Sequence, residues 1–172
     1  MEGQTQGKET IKAIEELAYK YEKEYGGCSQ AVVGAFKKVV GGIGDDVFKS
    51  ATGLAGGIGL TGNTCGALSG GILVLSHFVG REYDNFSDPE GIRFETFALA
   101  KKLVENYESE YGSAKCEKVM TKVMGRYYDI WTEREAFLAA GGHEDKCPSV
   151  CANAARWTAE ILAQKGLLPA PE

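Results

Sequence analysis

Apolar residues recur at helical spacing near the start of the chain. Ile11, Ile14, Leu17, Ala18, Tyr21 and Tyr25 fall on one stripe, with Lys and Glu between them, and predict an amphipathic helix over residues 8 to 25. Gly26-Gly27 stops it. A second helix is predicted from Cys28 to Val40, ended by Gly41-Gly42, and a short helical turn from Asp46 to Leu54. Residues Gly53 to Gly71 are rich in glycine and predict a buried loop. It leads into a helix from Cys65 to Val79 whose Leu68, Ile72, Leu73 and Leu75 face a core.

Ser87-Asp88-Pro89-Glu90 has the residues of a helix start, and that helix runs to Tyr111 before Gly112. Ser113 can cap the next helix, which carries Cys116, Val119, Met120 and Val123 up to Gly125. Thr132-Glu133-Arg134-Glu135 reads as a capping box opening a short helix to Ala140. The last helix starts near Pro148 and runs to Lys165, with Gly166 as its stop. No run alternates as a strand does. The expected fold class is all-α, a single domain over residues 1–172 built as a bundle of about six helices with a Gly-rich buried loop.

Charge narrows the function classes. A net charge of -5 argues against nucleic acid, because phosphate recognition needs a basic face. No dense Lys/Arg block suggests an anionic membrane surface. Ser50 to Gly80 holds no Asp, Glu, Lys or Arg, a length that could span a bilayer, but Thr61-Gly62-Asn63-Thr64 interrupts it with turn chemistry. A buried loop and core helix are expected instead of a span. The polar stretch Met1 to Lys12 lacks a secretory apolar core, so the expected location is the cytoplasm. Cysteines there serve catalysis, redox sensing or metal binding more often than structural disulfides.

The cysteines are Cys28, Cys65, Cys116, Cys147 and Cys151, and none forms a CxxC pair. Their places relative to the predicted helices say more than their spacing. Cys28 follows Gly26-Gly27, Cys65 follows Asn63-Thr64, Cys116 lies three residues past Ser113, and Cys147 precedes Pro148. All four are expected in or beside first turns, where free backbone N–H groups and the helix dipole favour anions. A thiol so placed is expected to be more acidic, a better nucleophile or metal ligand. Cys151, flanked by Val150 and Ala152, reads as an inert core residue.

Around these cysteines the chain resembles a known family. Gly26-Gly27-Cys28-Ser29-Gln30-Ala31-Val32 and Thr64-Cys65-Gly66-Ala67-Leu68-Ser69-Gly70-Gly71 look like the signature of the redox-active C_GCAxxG_C_C family. Cys116 in Cys116-Glu117-Lys118-Val119 and Cys147 in Lys146-Cys147-Pro148-Ser149-Val150 look like its later single cysteines, and the likeness extends to Leu162. The resemblance implies redox activity through four cysteines. Split-Soret cytochromes share a similar domain with an iron–sulfur cluster, and add haem motifs that this chain lacks. Cys151, one helical turn past Cys147, is a fifth thiol that could replace one of the four as a ligand or act as a resolving thiol.

The leading expectation is therefore an iron–sulfur cluster held by Cys28, Cys65, Cys116 and Cys147 for electron transfer to a partner protein that no motif names. The alternatives are a metal-free thiol–disulfide protein, pairing Cys28 with Cys65 or Cys147 with Cys151, and a scaffold with a structural zinc site. A homodimer could form on the first helix. Gly57-Ile58-Gly59-Leu60-Thr61-Gly62 matches GxGxxG but lacks the preceding strand, so no nucleotide site is expected. His77 is expected in the core, and His143 reads as a solvated loop residue, an alternative ligand or a proton donor. Tyr127, Tyr128 and Trp131 are expected to pack together.

Overall fold

A computed structural model describes residues 2–168, with the side chains of residues 2–6 outside the description. Among the described residues it contains eight α-helices and no strand. They are α1 Glu2–Tyr25, α2 Cys28–Val39, α3 Asp45–Ser50, α4 Gly66–Val79, α5 Ile92–Tyr111, α6 Cys116–Met124, α7 Ile130–Ala139 and α8 Cys147–Gln164. The bundle thus has eight helices, against an expected six. Each of the eight corresponds to a helical segment expected along the chain, α3 to the short turn from Asp46 to Leu54, so six undercounts those segments.

α8 is the central element. Val150, Cys151, Ala154, Ala155, Trp157, Ile161 and Leu162 are all buried as it packs against α1, α2, α4 and α5. α4 is enclosed between α2, α5 and α8, which explains a sequence without Asp, Glu, Lys or Arg. Gly70 and Gly71 allow that close fit. A Cβ at Gly70 would lie 2.5 Å from the Ser29 carbonyl oxygen of α2, and one at Gly71 would lie 2.5 Å from Thr158 Oγ1 of α8. No helix among the described residues is long and apolar enough to cross a membrane.

Three helix starts differ from their sequence expectation. Asp88 does cap, accepting from the N–H groups of Ile92 and Arg93, but its carboxylate reaches over a turn and α5 begins at Ile92. α7 begins two residues before the expected box. Asp129 accepts from the Trp131 N–H, while Glu133 reaches back to accept from the Asp129 N–H. This reciprocal capping uses Glu133 of the anticipated motif with a different cap residue. α1 starts at Glu2, ahead of residue 8.

The glycine-rich segment is only half buried. Gly56, Gly57, Ile58, Gly59 and Leu60 all have φ between 60° and 77°, a single left-handed turn. Ile58 projects into solvent, 48% exposed. The turn can reach the surface because its N–H groups bond within the segment: Ile58 donates to Leu54, Leu60 to Ala55 and Gly62 to Gly56. β-branched residues rarely hold this conformation, so Ile58 marks a strained position.

Candidate functional site

Each of four cysteines stands at a helix start. Cys28 opens α2, Cys116 opens α6, Cys147 opens α8, and Cys65 is the N-cap of α4. Glycines and chain turns precede three of them and Pro148 follows Cys147 in the first turn of α8, which is why the sequence located these positions well. Tertiary structure then brings the four starts together. Cys28, Cys65, Cys116 and Cys147 line one partly open cavity of about 250 Å³.

Backbone pairing sets two of them side by side. Thr64 and Lys115 form an isolated antiparallel bridge, and the Cys65 N–H donates to Ala114 while the Cys116 N–H donates to Asn63. The segments entering α4 and α6 therefore run together. Cys28 approaches from α2, against the first residue of α4. A Cβ on Gly66 would lie 2.4 Å from Cys28 Sγ, so only glycine admits the sulfur there. Cys147 enters from α8 behind a tight turn, Gly142–Lys146. That turn is anchored to α1 by Tyr19, which donates to the Glu144 carbonyl, and by Lys23, which pairs with the Glu144 carboxylate at 3.1 Å.

Cys151 is fully buried on α8 outside the cavity lining. Its thiol donates to the Cys28 carbonyl oxygen at 3.8 Å. It therefore packs behind Cys28. Among the described residues, no three Cys, His, Asp or Glu side chains converge as a group able to hold a metal ion. The cavity that the thiols line is also lined by Val119, Met120, Phe137 and Val150.

The electrostatics depart from expectation. Backbone N–H groups do favour ionised sulfur: Gly56 of the left-handed turn does so at Cys28, and Leu68 and Ala67 in the first turn of α4 do so at Cys65. Burial outweighs them. Desolvation pushes all five thiols above the ordinary value of 9.0. They therefore stay protonated at neutral pH. Tyr107 closes the wall behind Cys65, its hydroxyl 4.0 Å from the sulfur, and its ring meets Trp157 edge-on at 5.5 Å.

Two histidines separate here. His77 is exposed and stacks edge-on with Phe78, which corrects the expectation of a core residue. His143 lines the cavity, with its ring edge-on to Phe137 at 5.1 Å. The aromatic patch divides too. Tyr128 is buried against Phe137, whereas Trp131 is 72% exposed and its indole N–H donates to the Gly59 carbonyl. No strand precedes the GxGxxG match among the described residues.

Glu22 of α1 was missed as a site residue. It is 2% exposed and lines the same cavity. Ile14 and Ala18 are both fully buried, and Glu22 follows them at the same four-residue spacing. The helical stripe that predicted α1 thus already placed a carboxylate on its buried face.

No curated protein and no solved structure matches the chain. A family model does match, across residues 26–161, which include all five cysteines. The chain belongs to the C_GCAxxG_C_C family of putative redox-active proteins.

Proposed function

We propose that the thiol-lined cavity holds an iron–sulfur cluster through Cys28, Cys65, Cys116 and Cys147 and serves one-electron transfer. The observation that carries this reading is the meeting of four helix-start thiols around a single space of about 250 Å³. Thiolates are the usual ligands of such clusters. The donor set also fits on electrostatic grounds. Burial keeps these thiols protonated, and a cationic group among them would let them ionise together. That no three donor side chains among the described residues converge as a single-ion site favours a group with several metal atoms over a lone zinc ion.

In this reading the cluster supplies the one-electron couple, and the chain does the rest. Cys28, Cys65, Cys116 and Cys147 bind it. The Gly56, Ala67 and Leu68 N–H groups stabilise negative charge on sulfur, a lever on reduction potential. Val119, Met120, Phe137 and Val150 limit water in the cavity, and Arg134 stands exposed at its edge. Free thiols persist in reducing compartments, which favours the cytoplasm as the location.

The test is anaerobic purification followed by iron and sulfide analysis with a visible spectrum. Brown protein with charge-transfer absorption supports the reading. Colourless, iron-free protein after reconstitution rejects it. The thiol–disulfide alternative gains support from the seating of Cys28 Sγ against the first residue after Cys65. It requires two thiols to disappear together on mild oxidation, with nothing bound.

A further inference from the structure

We propose that Glu22, held in place by His143, is a carboxylate donor to the metal group in the thiol cavity. This inference rests on the metal reading above and adds to it an oxygen ligand from a helix that lies outside the family-matched residues.

The Glu22 side chain is 3% exposed, and its Oε1 lies 3.2 Å from His143 Nδ1. Oε2 and His143 Nδ1 are both fully buried, and neither has a hydrogen-bond partner, so the Glu22–His143 contact is one of charge and proximity. Buried polar atoms are almost always satisfied, and a buried carboxylate with an idle oxygen is costly unless a cation completes it. Within the lining, the basic side chains are His143, beside Oε1, and Arg134, which is exposed. The idle oxygen belongs to a residue of the very cavity that the four thiols line.

The pair is built to stay put. One face of the His143 site is closed by the backbone of Gly26, where a Cβ would come within 3.4 Å of the ring. Phe137 meets the ring from another side. The turn carrying His143 is tied to α1 through Tyr19, three residues before Glu22, and Lys23, the residue after it. Holding a ligand oxygen through a neighbouring imidazole is how metal sites commonly orient their donors. Iron and cobalt accept both thiolate and carboxylate ligands.

Iron(II) and sulfide are the probe, added anaerobically to the reduced, full-length, metal-free protein. Sulfur-to-iron absorption reports the thiolates, and infrared difference spectra report a carboxylate. The wild type is expected to take up iron and sulfide with this absorption and a shifted carboxylate stretch. Glu22→Gln, checked for native helical circular dichroism, is expected to weaken iron retention by about 10–100-fold, change the visible spectrum and abolish the infrared shift. Equal iron and sulfide content and an identical visible spectrum in Glu22→Gln would overturn the inference and leave the thiolate reading intact. An unchanged carboxylate spectrum in the loaded wild type would also overturn it, even if the variant failed to fold. Absence of sulfur-to-iron absorption in the wild type would overturn the metal reading itself, and this inference with it.

Discussion

At the residue scale the chemistry is a contest between helix-start donors and burial. Sequence position argues for acidic thiols; the enclosed cavity makes them weak acids. The sign of the consequence is fixed by linkage. A thiol whose folded pKa lies above its unfolded value keeps a proton that the unfolded chain releases, so stability is full below the unfolded pKa and falls as pH rises beyond it. Metal-free reduced protein is therefore expected to hold a level melting temperature through neutrality and to lose stability above about pH 8.5, the free-thiol value. Replacing Cys28, Cys65, Cys116 and Cys147 by Ala should flatten that decline, as thermal melts across pH would show. Glu22 obeys the same rule, its carboxyl pushed up chiefly by burial. The cost is present at neutral pH, where the unfolded residue is ionised. Glu22→Gln should thus stabilise the metal-free protein at pH 7 by about 1 kcal/mol in denaturant unfolding, because the amide carries no charge to desolvate. The four helix-start cysteines were legible in the sequence because glycine, proline and capping residues mark chain turns. Glu22 was hidden because Glu among Lys and Glu reads as a solvated face. Only the helical phase of Ile14 and Ala18 distinguishes it.

At the element scale the cavity depends on what lies between the helices. The left-handed turn at Gly56–Leu60 brings the Gly56 N–H to Cys28 and fits Gly57 against Cys116, where a Cβ would lie 2.8 Å from that residue's Cβ. Gly66 is the tightest test of this assembly. Gly66→Ala would place a methyl group 2.4 Å from Cys28 Sγ and 2.8 Å from the Leu54 carbonyl oxygen. It is expected to cost about 1–3 kcal/mol in denaturant unfolding and to slow or block cluster reconstitution. Gly53→Ala is the matched control, since a Cβ there meets nothing within 4 Å, and it should change stability by less than about 0.5 kcal/mol. Periodicity foretold the long helices well. It could not foretell the course of residues 55–64, because a run of positive φ at Ile58 and Leu60 contradicts local preference and is imposed by the surrounding fold. The starts of α5 and α7 were displaced for a related reason. Capping side chains reach across several residues, so a motif announces a nearby start without fixing which residue is first.

At the scale of the whole molecule, α2, α4, α6 and α8 converge at their N-terminal ends while their bodies pack in the surrounding bundle. A ligand bound at that convergence touches four elements at once, and it cannot do so in the unfolded chain. Binding free energy then becomes folding free energy. Reconstituted protein is expected to melt at a higher temperature than metal-free protein, with a gain of about 2.7 kcal/mol when free ligand is 100 times its dissociation constant. Calorimetry of the two forms checks this, and removal of the metal by a chelator should reverse it.

The wall behind Cys65 has an optical consequence. Trp157 is one of two tryptophans, buried at 9% exposure, and it meets Tyr107, whose hydroxyl is 4.0 Å from the Cys65 sulfur. The other, Trp131, is 72% exposed. An aqueous quencher should silence Trp131 and leave the blue-shifted emission of Trp157. That emission lies one ring away from the sulfur, so the protein carries a built-in fluorescent gauge of what occupies the space beside Cys65.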